Sequence, residues 1–191
     1  MTEYELFHAS DETQSIIDNG FDEIKLPLFN DINSGKVSKG LGTFGVGVYA
    51  YEGVKSIDAC RTFGNRKYGS DNYKILKFNA DINDEKLLDL TSLEDAHYFY
   101  KFCENKKNVE YLKFLNKKYR NKGYAKIYQG ICIEYYIFMM VSSNKMQNPE
   151  AIRGGSNNSE IYKKFIILNG IEMCIRNGNV IDKSSIRLYN S

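Results

Sequence analysis

Short β-branched and aromatic runs alternate with longer amphipathic ones at irregular intervals along this chain, and no spacing recurs. That irregularity excludes a regular series of strand–helix–strand units. It predicts an α+β fold around a mixed or antiparallel sheet with flanking helices. The 191 residues have the length of one ordinary domain, and a 42% hydrophobic content is enough for one core. The pattern predicts strands at 4–8, 46–51, 73–78, 87–90, 162–168 and 171–175. Helices are expected at 11–19, 54–63, 92–119 with a break near Asn105, and 125–141. Asp11 with Gln14, and Ser92 with Asp95, have the spacing of capping boxes, and Gly20 stops the first helix. Two stretches rich in Gly, Asn and Ser, 27–45 and 142–160, are read as long loops, which inside a compact domain are usually functional. Asn177-Gly178 is a turn signal leading to Val180 and Ile181.

Charge and cysteine usage narrow the function classes. Lys plus Arg (26) nearly balance Asp plus Glu (24), so the net charge of +2 argues for no strongly attracted polyanion. Lys106, Lys107, Lys117, Lys118, Arg120 and Lys122 interleave with Tyr111, Tyr119 and Tyr124, a mixture that can cradle nucleic acid but is better read as a solvated helix face. The opening MTEYELFHAS is not a secretory signal, and the apolar run from Ile131 to Val141 is interrupted by Glu134 and is about half of the ~20 residues a membrane helix needs. A cytoplasmic protein with no membrane partner is expected. Cys60, Cys103, Cys132 and Cys174 lie far apart with only His8 and His97 to join them, so reduced thiols and no metal are expected.

Gly40-Leu-Gly42-Thr-Phe-Gly45 matches a dinucleotide fingerprint literally, but it follows a polar loop and leads into a strand, the reverse of the context that fingerprint requires. It also resembles a kinase glycine loop, yet none of the other kinase elements follows. A plain glycine-rich turn remains open.

Read as a unit, the N-terminal third is more informative. Leu6-Phe7-His8-Ala9-Ser10, then a helix ending in Asn19-Gly20-Phe21, then Gly45-Val-Gly47-Val-Tyr49-Ala-Tyr51 follow in that order, and near the other end comes Ile171-Glu172-Met173-Cys174-Ile175-Arg176. This order resembles the His-Tyr-Glu type of ADP-ribosyltransferase, the poly(ADP-ribose) polymerase and diphtheria-toxin-like group, over about a third of the chain. The resemblance implies a split β-sheet and NAD⁺ as substrate, with His8, Tyr49 and Glu172 around one cleft as catalytic residues. By that resemblance Glu172 stabilises an oxocarbenium-like transition state, Tyr49 stacks on the nicotinamide, His8 fixes a ribose hydroxyl as donor and the backbone of Ala9 holds the carboxamide. Tyr51 or Phe63 stands in for a second stacking tyrosine, Gly170 departs from the arginine-modifying toxins, and Arg153 in the second long loop is, by position, the candidate phosphate or acceptor contact. Glu134 and Glu160 are the reserve carboxylates. The implied partners are a macromolecular acceptor, protein or nucleic acid, and an antitoxin or inhibitor protein, as for a toxin–antitoxin pair. The residues alone leave open a non-catalytic module on the same fold that binds NAD⁺, ADP-ribose or a protein, and an NAD⁺ glycohydrolase.

Overall fold

The computed structural model describes residues 1–36, 40–120, 128–156 and 168–190. Seven strands form one sheet in the order β6-β7-β8-β4-β1-β5-β9. They are β1 (Thr2–Ser10), β4 (Val48–Glu52), β5 (Lys74–Ile82), β6 (Leu87–Asp89), β7 (Ala151–Ser156), β8 (Gly170–Ile175) and β9 (Ile181–Leu188). A small ribbon joins β2 (Leu41–Gly42) to β3 (Gly45–Val46). The sheet pairings are antiparallel except β6 with β7, and the architecture is α+β. The helices are α1 (Thr13–Asn19), α2 (Phe29–Ser34), α3 (Ile57–Tyr68), α4 (Leu93–Glu104), α5 (Lys106–Arg120) and α6 (Tyr128–Ser142).

Alternation along the strands supplies a core on each face. On one face Leu6, Ala50, Leu76, Phe78, Met173 and Ile175 pack with Ile16 of α1. On the other, Ile57, Ala59 and Cys60 of α3 cover Phe7, Ala9 and Tyr51, while Ile133, Tyr136 and Ile137 of α6 cover Ile152 and Cys174. Helix α5 backs α6 through Leu112, Leu115 and Tyr119. Each such aliphatic side chain contributes about 1.5–3 kcal/mol by leaving water, so the two layers fix α3 and α6 on the same face with the middle of β8 between them.

Where the structure departs from the sequence reading, packing gives the reason. The expected loop 27–45 holds α2 and the β2–β3 ribbon, because Ile32 is buried against α5 and α6 and its carbonyl accepts a hydrogen bond from the Tyr119 hydroxyl at 2.8 Å. The expected loop 142–160 holds β7, an interior strand of the sheet. Its glycines serve close approach rather than flexibility, since a Cβ at Gly154 would fall 2.2 Å from the Phe44 ring. Gln14 does not close a capping box; its side chain bonds Asp18, and the Glu12 amide is met by Ser10 Oγ. Ser92 does cap α4, accepting from the Asp95 amide at 3.1 Å. Asn177-Gly178 turns the chain, but into β9, which pairs with β5 at the far edge of the sheet and not with β8. The strand expected at 162–168 lies outside the described residues except for Leu168, which is exposed and in no strand.

Candidate functional site

Strand β1 is in register with β4 only at Leu6↔Glu52 and Phe7↔Tyr51. Beyond those rungs β1 continues beside β5 to Ser10, and β4 continues beside β8 to Val48, with no rung between β1 and β4. The sheet is one hydrogen-bonded array that opens on one side of Phe7 and Tyr51. The His8 side chain spans the opening, its Nδ1 lying 2.6 Å from the Tyr49 carbonyl. A carbonyl only accepts, so Nδ1 carries the hydrogen. Burial lowers the pKa of His8 and keeps the ring neutral at neutral pH, which leaves Nε2 as an acceptor. The donor role expected for His8 toward a ligand is therefore replaced by an acceptor role.

Register decides which side chains share a face, because residues directly opposite in an antiparallel pair point the same way. Phe7, Tyr51, Glu172 and Gly154 form one row, and Tyr49, Cys174 and Ile152 the next row on that same face. Tyr49, Tyr51 and Glu172 are thus brought together between α3 and α6. His8 pairs with Leu76 and meets Phe21 edge-on at 5.2 Å, which puts it on the opposite face, at the opening. The three expected catalytic residues do not line one cleft with their side chains.

Glu172 is 9% exposed. Burial raises its pKa to about 7, offset in part by a hydrogen bond from the Tyr51 hydroxyl and by the charge of Arg66 on α3. Tyr51 itself is 2% exposed, so its ring is core and offers no open face for the stacking expected of it, while its hydroxyl meets the Glu172 carboxyl. Phe63 lies beside it, ring centroids 6.3 Å apart, and remains partly exposed. Gly170 lets α3 come close to the start of β8: a Cβ there would press the Ala59 Cβ at 3.0 Å, and Ser56 Oγ accepts from the Ile171 amide at 3.0 Å. The Ala9 backbone, released from β4, bonds the Cys60 thiol, which burial pushes up to about 12 and so leaves un-ionised and unreactive.

Tyr49 is held by the glycine-rich segment. Its hydroxyl donates to the Gly45 carbonyl at 2.7 Å and accepts from the Phe44 amide at 2.8 Å, and its ring lies where a side chain at Gly42 would be. That segment is anchored from below by Glu134 of α6, which accepts from the Val46 amide at 2.7 Å and is ion-paired with Arg176; both charged side chains are 3% exposed. Gly45 has φ +96 and a Cβ there would strike Glu134 Oε1 at 2.4 Å, so glycine is required twice over. The run Gly40–Gly47 is a packing device, and Glu134 is a structural carboxylate.

Arg153, expected in an acceptor loop, is a residue of β7 on the face opposite Glu172. It makes a two-pronged ion pair with Glu52 at 2.6 and 2.9 Å and a third contact with Asp89 at 2.9 Å, which hold its charge inside the fold. Glu160 lies outside the described residues, as do Lys122 and Tyr124 of the basic cluster. Tyr119 of that cluster is buried, and Lys118 bonds the Asn33 carbonyl. A cavity of about 370 Å³ opens away from Glu172, between β6, α4 and the end of α6. Among the described residues no group of three His, Cys, Asp or Glu is placed to hold a metal ion, and no helix is long and apolar enough to cross a membrane. The sequence reading missed Arg66, although its place at spacing 3, 4 and 3 from Ser56, Ala59 and Phe63 marks one stripe of α3.

A scan against protein-family models finds no match, and searches of curated proteins and of solved structures find none either.

Proposed function

We propose that this chain is a mono-ADP-ribosyltransferase that uses NAD⁺ to modify a macromolecular acceptor, with Glu172 as the catalytic carboxylate. The observation that carries the reading is a buried carboxyl in no ion pair among the described residues, met by a tyrosine hydroxyl, beside an opening in the sheet. A buried acid with a raised pKa and no ion-pair partner among the described residues is a functional-site candidate. The chemistry fits the substrate class. Nicotinamide leaves NAD⁺ as a neutral base from a cationic ring, so bond cleavage needs no strong acid and gains from a carboxylate facing the developing positive charge on the ribose. A cationic ring bound beside Glu172 favours the ionised carboxylate, so substrate binding and deprotonation support one another.

In this reading Tyr51 fixes the carboxylate, Tyr49 offers a rigid ring pinned by Phe44 and Gly45, and neutral His8 offers Nε2 to a ribose hydroxyl across the opening. A cytoplasmic effector restrained by an antitoxin or inhibitor protein belongs to the same proposal. The test is to incubate the protein with adenine-labelled NAD⁺ and cell extract, and to measure released nicotinamide and macromolecule-bound label in parallel. Glu172→Gln is expected to lower both by at least about 100-fold while NAD⁺ binding persists, the usual loss for a group acting in the transition state. Nicotinamide release without bound label would make the chain a glycohydrolase. Neither signal from the unmutated protein would leave a binding module.

A further inference from the structure

We propose that the exposed edge of α3 formed by Phe63, Arg66 and Lys67 is a diphosphate-binding site, taking the two phosphates of a dinucleotide whose sugar sits at Glu172. The inference rests on the NAD⁺ reading above and adds the subsite that this reading leaves unassigned.

Helix α3 packs over β8 with one stripe turned toward it. Ser56 and Ala59 of that stripe touch Ile171 and Gly170, and Phe63 follows against Tyr51, whose hydroxyl meets Glu172. The stripe therefore starts at the strand end that carries Glu172, passes Tyr51 at Phe63 and leads outward to Arg66 and Lys67, both exposed. The two cations are gathered on one ring: Arg66 Cζ is 5.9 Å and Lys67 Nζ 5.6 Å from the Phe63 centroid, and Lys67 also lies 4.6 Å from the Tyr68 ring. Lys67 is paired with no carboxylate among the described residues, whereas Arg61, on the same helix, is engaged by Asp58 at 3.2 Å. Both charges are felt at the site, that of Arg66 on Glu172 and Tyr51 and that of Lys67 on His8.

A ligand carrying two negative charges next to a carboxylate is repelled unless cations stand between, and here two cations from adjacent residues stand where α3 reaches solvent. Their number matches a diphosphate, and aromatic faces hold them in place before a ligand arrives, which lowers the ordering cost of binding. Lys and Arg in a last helical turn also complement the helix dipole, a role that requires no ligand. The two roles differ in their dependence on phosphate number.

The experiment is calorimetric titration of the full chain with ADP, AMP and adenosine. Wild type is expected to bind ADP at least about tenfold more tightly than adenosine, with AMP between them, as charge-assisted contacts to phosphate imply. Arg66→Gln with Lys67→Gln should lose about tenfold or more for ADP and nothing for adenosine, each single substitution should lose part, and Lys113→Gln on α5 should lose nothing. ADP held no more tightly than adenosine, ADP held equally well by the double variant, or an equal loss in Lys113→Gln would overturn the site. Loss of ADP binding in the double variant of a chain that never turns over NAD⁺ would uphold the site and overturn the transferase reading.

Discussion

Two buried glutamates, one in α6 and one in β8, have opposite surroundings. Glu134 is neutralised by Arg176 and accepts from the Val46 amide, so every element it touches is fixed by its charge. Among the described residues Glu172 has burial without an ion pair, a tyrosine hydroxyl and a cation at a distance. The difference teaches how one fold uses buried carboxylates in two ways: an ion-paired one locks the glycine segment under Tyr49, and one in no ion pair among the described residues is left able to change its charge near neutrality.

The comparison breaks most visibly at Glu134. Replacing it with Ala strands Arg176, whose Nε lacks a partner among the described residues, as a buried cation, and the expected loss of stability is about 3–5 kcal/mol by urea denaturation. Glu134→Leu with Arg176→Met should recover most of that loss. Stability equal to wild type in Glu134→Ala would mean that the pair supports nothing.

Glu172 should show the reverse sign. Its folded pKa of about 7 lies above the ordinary glutamate value, so between roughly pH 4.5 and 7 the folded state holds a proton that the unfolded state has released. Stability is then full below that window and falls as pH rises through it, by about 3 kcal/mol. Glu172→Gln should flatten this dependence and be the more stable protein at pH 8, while NAD⁺ turnover by wild type rises with pH to a plateau above about 7. Denaturation curves at pH 5 and 8 check the first part; an identical slope in wild type and variant would assign the proton elsewhere.

The smallest effect is expected at Tyr51. Removing its hydroxyl withdraws a bond that favours the ionised carboxyl, so Tyr51→Phe should move the midpoint of the pH–turnover profile upward by about one unit, with turnover at the high-pH plateau changed only a few-fold. An unmoved midpoint would separate Tyr51 from Glu172.

Much of the fold was legible because alternation and capping are local. The strands around Leu6, Ala50, Phe78 and Ile175, the Ser92 cap and the break at Asn105 all follow from neighbouring residues. Strand β7 and helix α2 were not, since Gly154 and Gly155 look like a loop until the Phe44 and Leu168 side chains that they admit are known. The site divides in the same way. Glu172 and Tyr49 stand out through family resemblance, but the face they occupy depends on strand register, which the sequence does not carry where one residue of slip turns every side chain over. That is why His8 falls opposite Glu172, Arg153 is engaged by Glu52 and Asp89, and Tyr51 serves through its hydroxyl.

The short contact between β1 and β4 makes the sheet mechanically uneven. The group β6-β7-β8-β4 and the group β1-β5-β9 are each laced along several residues, but they share two rungs and one imidazole bridge. Bending concentrates at such a seam, with Phe7 and Tyr51 as the hinge pin and His8 as a latch on the side that opens. A pull that separates Tyr49 from His8 also turns Tyr51, and with it the hydroxyl that steadies Glu172. Any parting of the two halves at that seam is thereby felt at the Glu172 carboxyl through a lever one side chain long.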